Sequence, residues 1–209
     1  IAGGIDEMLP IQLLSYFGHY GVPVFLFLSG FGLTLKYEQA SSQTPPAMNF
    51  ARFHYLKLLR MMVPGFVAFV IIDFMTIGPY KYPAENVLAL FGMCANLMPE
   101  PNNVIWPGPY WFFGLMLQLY IVYRLFIYRR HWGWTVALMA ICIGIQLALG
   151  FDNPESEAMN RYRYNFMGGM LPFGLGILYA RYGEKILMTF HSPVTNFFGI
   201  IFSISLIYS

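Results

Sequence analysis

The sequence predicts an all-α, polytopic membrane protein, and three observations carry that prediction. First, six long apolar stretches approach the roughly 20 helical residues that a bilayer core of about 30 Å requires. Second, 57% of the residues are hydrophobic and only 11% are charged. Third, the basic residues fall mostly into alternate gaps between the stretches. Strands are not expected, because the runs lack the alternation of barrel strands and hydrocarbon offers an open sheet edge no partner.

Each long stretch is interpreted as one spanning helix. In chain order they are Leu9 to Leu35, Met61 to Pro79, Tyr110 to Ile127, Trp134 to Gly150, Tyr164 to Ala180 and Pro193 to Tyr208. The shorter stretch from Val87 to Met98 is predicted to be re-entrant or interfacial. The centre of the segment from Lys36 to Arg52 is polar and predicts a connection, so the whole chain, 1–209, is predicted to be one membrane-embedded domain.

The basic residues predict the orientation, because Lys and Arg are retained on the cytoplasmic side. Nine of the twelve lie in one set of gaps, which is therefore placed in the cytoplasm: Lys36, Arg52, Lys57, Arg60, Arg124, Arg129, Arg130, Arg181 and Lys185. The other set holds Lys81, Arg161 and Arg163. The N-terminus of the chain is then predicted on the non-cytoplasmic side. Because the chain begins at Ile1 and ends within an apolar run, we expect a fragment that lacks a first helix and a C-terminal part.

Several functional classes are disfavoured by motifs that the sequence lacks. Cys94 and Cys142 lie in apolar segments, and no CxxC, HExxH or phosphate-loop spacing occurs, so no metal site and no bound cofactor are predicted. A basic stripe interleaved with aromatic residues is also missing, and nucleic acid is not an expected partner. Ser29 lacks the flanking glycines of a GxSxG nucleophile elbow.

Three segments carry the most informative pattern. They read GVPVFLFLSGF over residues 21–31, FHYLKLLRMMVP over residues 53–64 and WPGPYWFF over residues 106–113, the last followed by Leu119 and Tyr120. In this order and with this sidedness they resemble the acyltransferase 3 family of integral membrane proteins.

The match to that family's motifs has identifiable departures. Pro23 fills a variable position of the first motif, and Leu26 replaces a Phe. Lys57 and Arg60 form KxxR where the family shows an RxxR-like cluster shortly before a proline that opens the next helix.

The resemblance implies transfer of an acyl group, often acetyl, from acyl-CoA to a hydroxyl of a sugar or another cell-envelope acceptor. Acyl-CoA would then be a co-substrate, and the lipid bilayer of a bacterial inner membrane would surround the protein. The family's proposed catalytic element is an Arg or Lys followed eleven residues later by a His in the first helix. No basic residue precedes His19 in this chain, so that His is expected upstream of residue 1.

Lys57 and Arg60 are candidates for binding the donor. Residues three apart share a face of a helix, and a guanidinium and an ammonium both bind phosphate. Alternatively, the two side chains anchor the cytoplasmic end of a helix as ordinary positive-inside residues.

The remaining candidates each have two interpretations. An ionisable His19 inside a span could act as a general base, or could be neutral and hydrogen-bonded to another helix. Asp73 could face a polar acceptor cavity or pair with Arg161 or Arg163. Ser29 and Gly30 either let helices approach closely or shape an acyl channel.

The aromatic and kink-forming positions complete the predicted channel or acceptor support. Gly21 and Pro23 favour a bend in the first span. Trp111 fits either an aromatic belt at the membrane surface or a stacking platform for a sugar, and Tyr120 belongs to the same aromatic segment. Two other functions remain open at this point, a transporter or flippase for an envelope glycan or lipid and a non-catalytic membrane subunit.

Overall fold

A computed structural model describes residues 8–40, 45–76, 81–105, 109–153 and 156–189, and for 8–20 and 186–189 the description is confined to the backbone. Within these ranges the regular structure is entirely helical, with no strand, as the sequence predicts. The α-helices are α1 (Met8–Thr34), α2 (Ala47–Phe74), α3 (Ala84–Phe91), α4 (Trp111–Val122), α5 (Trp132–Asp152), α6 (Glu157–Arg163) and α7 (Phe166–Thr189).

Two π-helical turns extend helices at their C-terminal ends. The first π-turn, Leu35–Gln39, follows α1, and the second π-turn, Tyr123–Ile127, follows α4. The long helices α1, α5 and α7, and α4 together with its π-turn, coincide with four of the predicted stretches. The predicted stretch from Pro193 to Tyr208 lies outside the described residues.

The second helix starts well before the predicted stretch from Met61. Helix α2 begins at Ala47, and Pro64, expected to open the helix, lies inside it. The reason is a stripe of buried side chains at four-residue spacing, which continues the apolar face through the segment interpreted as a polar connection. The stripe consists of Phe50, His54, Leu58, Met62 and Phe66.

The short stretch from Val87 to Met98 is broken into two small elements. Helix α3 has eight residues and is about 12 Å long, which is too short to cross a bilayer. It is followed by Met93, whose φ of 53° interrupts the helix, and by the 3₁₀ turn Ala95–Leu97. The Tyr55 hydroxyl donates a hydrogen bond to the Phe91 carbonyl oxygen (2.8 Å) and joins this segment to α2. Its re-entrant or interfacial position remains a prediction.

Helices α2 and α5 are long and apolar enough to cross a membrane. In their most apolar windows only 11% and 17% of the residues are buried, so neither helix is the enclosed core of a soluble domain. Their large apolar side chains face outward instead, as expected for a protein whose solvent is hydrocarbon. The predicted number of six spans is not confirmed by the described helices.

The long helices alternate in direction according to their contacts. Gln39 bonds the Ala180 carbonyl and Phe50 packs against Tyr123, so the ends of α1, α4 and α7 meet the beginning of α2. The Arg181 guanidinium also bonds the carbonyl of Arg130, just before α5. We call this region the basic end, because most residues of the larger basic set lie here, and the other side the opposite end.

At the opposite end a buried tyrosine fastens three helices together. The Tyr162 hydroxyl of α6 donates to the carbonyl oxygens of Cys142 in α5 (2.7 Å) and Met167 in α7 (3.1 Å). Burial, with a smaller contribution from Cys142, raises the pKa of Tyr162 to about 12. The hydroxyl therefore keeps the proton that both carbonyls need at physiological pH.

The most extensive helix contact joins α1 and α7, which run parallel. A Cβ on Gly30 would overlap the Phe173 carbonyl group, and a Cβ on Gly176 would overlap the carbonyl group of Phe27. Small residues at such an interface let two backbones touch. The packing interpretation of Gly30 is thereby supported by the geometry.

We expect Gly30→Ala to destabilise the protein, because the added methyl has to push α1 and α7 apart. The expected loss is about 1–3 kcal/mol, the usual cost of overpacking. Thermal unfolding in detergent measures it. Gly32→Ala is the matched control, since a Cβ there meets nothing within 4 Å and alanine favours the helix. Equal effects of the two substitutions would contradict the close contact.

Candidate functional site

The first π-turn, at the basic end, aims three consecutive side chains in three directions. Lys36 is exposed, Tyr37 is buried, and Glu38 is half-buried. Each side chain contacts a different part of the protein, so this turn is the junction from which the site is built.

Glu38 forms an ion pair with Arg181 of α7 across 143 positions of sequence. The guanidinium Nε and Nη2 donate to the two carboxylate oxygens at 2.7 Å each, and both side chains are about one-tenth exposed (12% and 10%). The Tyr123 hydroxyl of the second π-turn also donates to Glu38 (3.0 Å). Arg181 in turn donates to the carbonyl oxygens of Ile127 and Arg130. A bidentate pair with further hydrogen bonds is the geometry that offsets the cost of burying charge.

Tyr37 reaches inward to a buried histidine of α2. Its hydroxyl and His54 Nε2 are hydrogen-bonded at 3.2 Å, and His54 is only 3% exposed. The imidazole lies between the rings of Phe50 (4.3 Å between centroids) and Tyr120 (4.6 Å). Tyr120, a predicted support residue, therefore lies beside His54. Ser29, another, lies in α1 next to Gly30.

The second nitrogen of His54 has no partner within the described ranges. Nδ1 is buried and makes no hydrogen bond there. Leaving a buried polar atom unpaired costs about 1–3 kcal/mol, so packing alone is a poor reason for a histidine here. Sequence reasoning missed His54, although its four-residue spacing from Phe50 and Leu58 marked it as part of an apolar face.

Lys57 and Arg60 line one groove on the outer face of α2, as their spacing predicts. The groove has a volume of about 400 Å³, and its walls are Phe53, Leu56 and Met61. Both cations are exposed. A groove with apolar walls and two cations suits a ligand that has an anionic group at one end and an uncharged chain.

A second cavity, of about 390 Å³, is lined by residues of α1, α4, α5, α6 and α7. Its walls are mostly apolar, with polar side chains supplied by Gln146, Arg163 and Trp111. Trp111 Nε1 is buried and unpaired among the residues that the structure covers. Gly168 and Gly169 leave room in the wall, where Val22 and Pro23 also lie.

The other predicted site residues are spread over the fold. Asp73, buried near the end of α2, accepts a hydrogen bond from Tyr82 (3.1 Å). Of the two arginines named as alternative partners of Asp73, Arg161 forms an ion pair with Glu157 in its own helix (2.6 Å). His19 lies in α1, where only the backbone is described, so its role stays a prediction. Gly21 adjoins the second cavity through Val22 and has open space at its Cβ position.

Glu38 and Arg181 were not singled out from the sequence, and no local signal marks them as partners. Each appears there only as a charge at the edge of an apolar run. The pair forms because α1 and α7 run parallel. The sequences of the two helices do not predict this relative direction.

We expect Glu38→Gln to lower stability by about 2–4 kcal/mol, because it leaves the nearly buried Arg181 charge without its partner. Equilibrium unfolding monitored by circular dichroism in detergent gives the difference. Glu157→Gln is the matched control: its pair with Arg161 is 61% and 66% exposed, and such pairs contribute about 0–1 kcal/mol. A loss for Glu38→Gln no larger than the control would contradict the role given to the pair.

Comparison with known proteins adds one match. The model of a protein family described as an acyltransferase domain matches residues 2–209 of the chain. Searches among curated proteins and among solved structures found no match.

Proposed function

We propose that this chain, which belongs to the acyltransferase 3 family, moves an acyl group, acetyl in the simplest case, from acyl-CoA to a hydroxyl of a cell-envelope acceptor. The family match confirms the resemblance carried by residues 21–123 and covers the remainder of the chain as well. Membership implies a membrane-associated acyltransferase. The donor, the acceptor and the residues that bind them are our proposal.

The observation that carries the proposal is the groove on α2. Lys57 and Arg60 would bind phosphate groups of acyl-CoA, and the apolar walls would hold its uncharged arm. The alternative, anchoring of the helix at the cytoplasmic border, does not account for the apolar groove that the two cations share.

The cavity beside Trp111 is our candidate for the acceptor. Five helices line it, and its polar groups, Gln146, Arg163 and the Trp111 indole nitrogen, are few and stand against apolar walls. Such a mixture is typical of small-molecule sites, in which polar groups orient a ligand held by apolar contact. Trp111 would stack on a sugar ring or another flat face of the acceptor.

The proposed reaction is a direct acyl transfer. A histidine takes the proton of the acceptor hydroxyl, and the oxygen attacks the thioester carbonyl carbon. The carbon–sulfur bond breaks, and CoA leaves as a thiolate that takes up a proton. Within the chain, the candidate for this base is His19 of α1. Exclusion of water by the surrounding helices would protect the thioester from hydrolysis.

The family match gives no support to the transporter or flippase interpretation. The test of the proposed function is therefore an acyl-transfer assay on the full-length protein in membranes. Transfer of label from [acetyl-¹⁴C]acetyl-CoA to an envelope fraction is the expected result. Movement of an unmodified glycan without acyl transfer would contradict the proposal.

We expect Lys57→Gln and Arg60→Gln each to raise KM for acyl-CoA, because each removes a cation from the donor groove. A hydrogen bond between charged groups contributes about 1.5–3 kcal/mol, which corresponds to roughly a tenfold to hundredfold change. Steady-state kinetics with varied acetyl-CoA measures the effect. Arg52→Gln is the matched control, an exposed basic residue of the same helix that does not line the groove. A KM unchanged in both groove variants would exclude this donor site.

We expect Trp111→Leu to raise KM for the acceptor about three- to tenfold, since aromatic contacts contribute about 0.5–1.5 kcal/mol beyond their area. KM for acyl-CoA should stay constant, because Trp111 does not line the donor groove. The measurement is two-substrate kinetics. Trp134→Leu removes an exposed tryptophan elsewhere and serves as the control. A change in the KM for acyl-CoA alone would contradict the proposed role of Trp111 in binding the acceptor.

A further inference from the structure

The donor groove has a third basic neighbour that comes from another part of the fold. Lys36 Nζ lies 5.1 Å from the centroid of the Phe53 ring and 5.0 Å from that of Tyr37. Phe53 is a wall of the groove that Lys57 and Arg60 line. A cation from the first π-turn therefore stands at the edge of the groove formed by α2.

The position of Lys36 follows from the residues beside it in the chain. Tyr37, the next residue, is held by His54, and Glu38, the one after, is held by Arg181 and Tyr123. With these two side chains fixed inside the protein, the backbone of the turn is fixed as well. Lys36 is then confined to the outer side, over Phe53.

The Tyr37–His54 hydrogen bond also joins the two elements that carry the cations. Tyr37 directly follows Lys36, and His54 lies three residues before Lys57, about one helical turn away. The bond therefore sets the separation between the π-turn cation and the α2 cations. This role explains why a histidine occupies the buried position, which packing alone does not explain.

We propose that Lys36 is a third donor-binding residue, which binds a phosphate group of acyl-CoA together with Lys57 and Arg60, and that Tyr37 and His54 are positioning residues for it. The proposal rests on the proposed function, because it adds to the same donor site. CoA carries a diphosphate and a separate ribose phosphate, so its anionic end is larger than one pair of cations spaced by a single helical turn. A cation from a second element widens the site to match.

The first experiment compares a donor that carries phosphates with one that does not. Binding of CoA and of S-acetylpantetheine, which lacks every phosphate, is measured on the full-length protein and on Lys36→Gln in lipid nanodiscs. We expect the substitution to weaken CoA binding about three- to tenfold, as for a point charge at a partly exposed site, and to leave S-acetylpantetheine unaffected. Unchanged CoA binding, or equal loss for both ligands, would overturn the assignment of Lys36.

Two matched variants separate a contact from a loss of charge. Lys36→Arg keeps the positive charge and should retain most of the affinity for CoA. Arg52→Gln removes a basic residue away from the groove and should bind CoA like the unmodified protein. If Arg52→Gln weakens CoA binding as much as Lys36→Gln, the effect comes from overall charge and the proposal fails.

The positioning role is tested on the hydrogen bond. Tyr37→Phe and His54→Phe should each weaken CoA binding selectively, by about two- to fivefold, because Lys36 is no longer held over Phe53. His54→Gln offers an amide near the position of Nε2 and should restore binding in part. Full CoA affinity in folded Tyr37→Phe and His54→Phe proteins would remove both residues from the proposal.

Failure of the donor groove and failure of the third cation give different results. If Lys57→Gln and Arg60→Gln bind CoA normally, the donor groove itself is wrong and the proposed function loses its donor site. If those variants lose affinity and Lys36→Gln does not, only the third cation is wrong.

Discussion

The parallel contact between α1 and α7 is the constraint from which the rest of the site follows. Gly30 and Gly176 have no side chain, and each helix backbone therefore lies directly against the other. In a bilayer, where apolar side chains gain nothing by leaving lipid for a neighbouring helix, such close van der Waals contact is a main source of association. Once the two helices are in register, Gln39 reaches Ala180 and Glu38 reaches Arg181.

The Glu38–Arg181 pair then determines how the first π-turn is presented. An ion pair this little exposed is tolerated because both carboxylate oxygens and all three guanidinium nitrogens are hydrogen-bonded, and two of these bonds go to backbone carbonyls in or near the second π-turn. Both π-turns are therefore joined through one carboxylate, that of Glu38. The extra residue in each turn changes which side chains face inward, so that Tyr37 meets His54 and Lys36 stays outside.

The proposed division of labour matches the distribution of polarity. The donor groove lies on an exposed face of α2 and combines cations with apolar walls, whereas the cavity beside Trp111 is lined by residues of several helices. Phosphates need charge and remain near water, but the thioester needs protection from it. In the proposed function, this arrangement would bring the charged end of acyl-CoA to the basic end and the acceptor to the cavity beside Trp111. The exposed apolar sides of α2 and α5 are then available to lipid or to further helices.

Much of the fold and part of the candidate site could be predicted from hydrophobicity and residue spacing, because both are local properties of the sequence. The all-α class, the four long helices that match their stretches, the shortness of the segment after Val87 and the shared face of Lys57 and Arg60 all depend on neighbours within a turn or two. The family followed from short motifs of the same kind. Six spans, the sidedness, the role of His19 and the acceptor remain predictions.

Only the tertiary structure revealed the features that are formed by residues far apart in the chain. Burial of His54 depends on Tyr37 and Tyr120, which lie on two other elements. His54 is also part of the buried stripe that explains why α2 starts at Ala47. Glu38 and Arg181 became partners through the register of α1 on α7. The cause is the same in each case: amino-acid pattern specifies which face of a helix is apolar, whereas the contact that this face makes is decided by the packing of all the helices together.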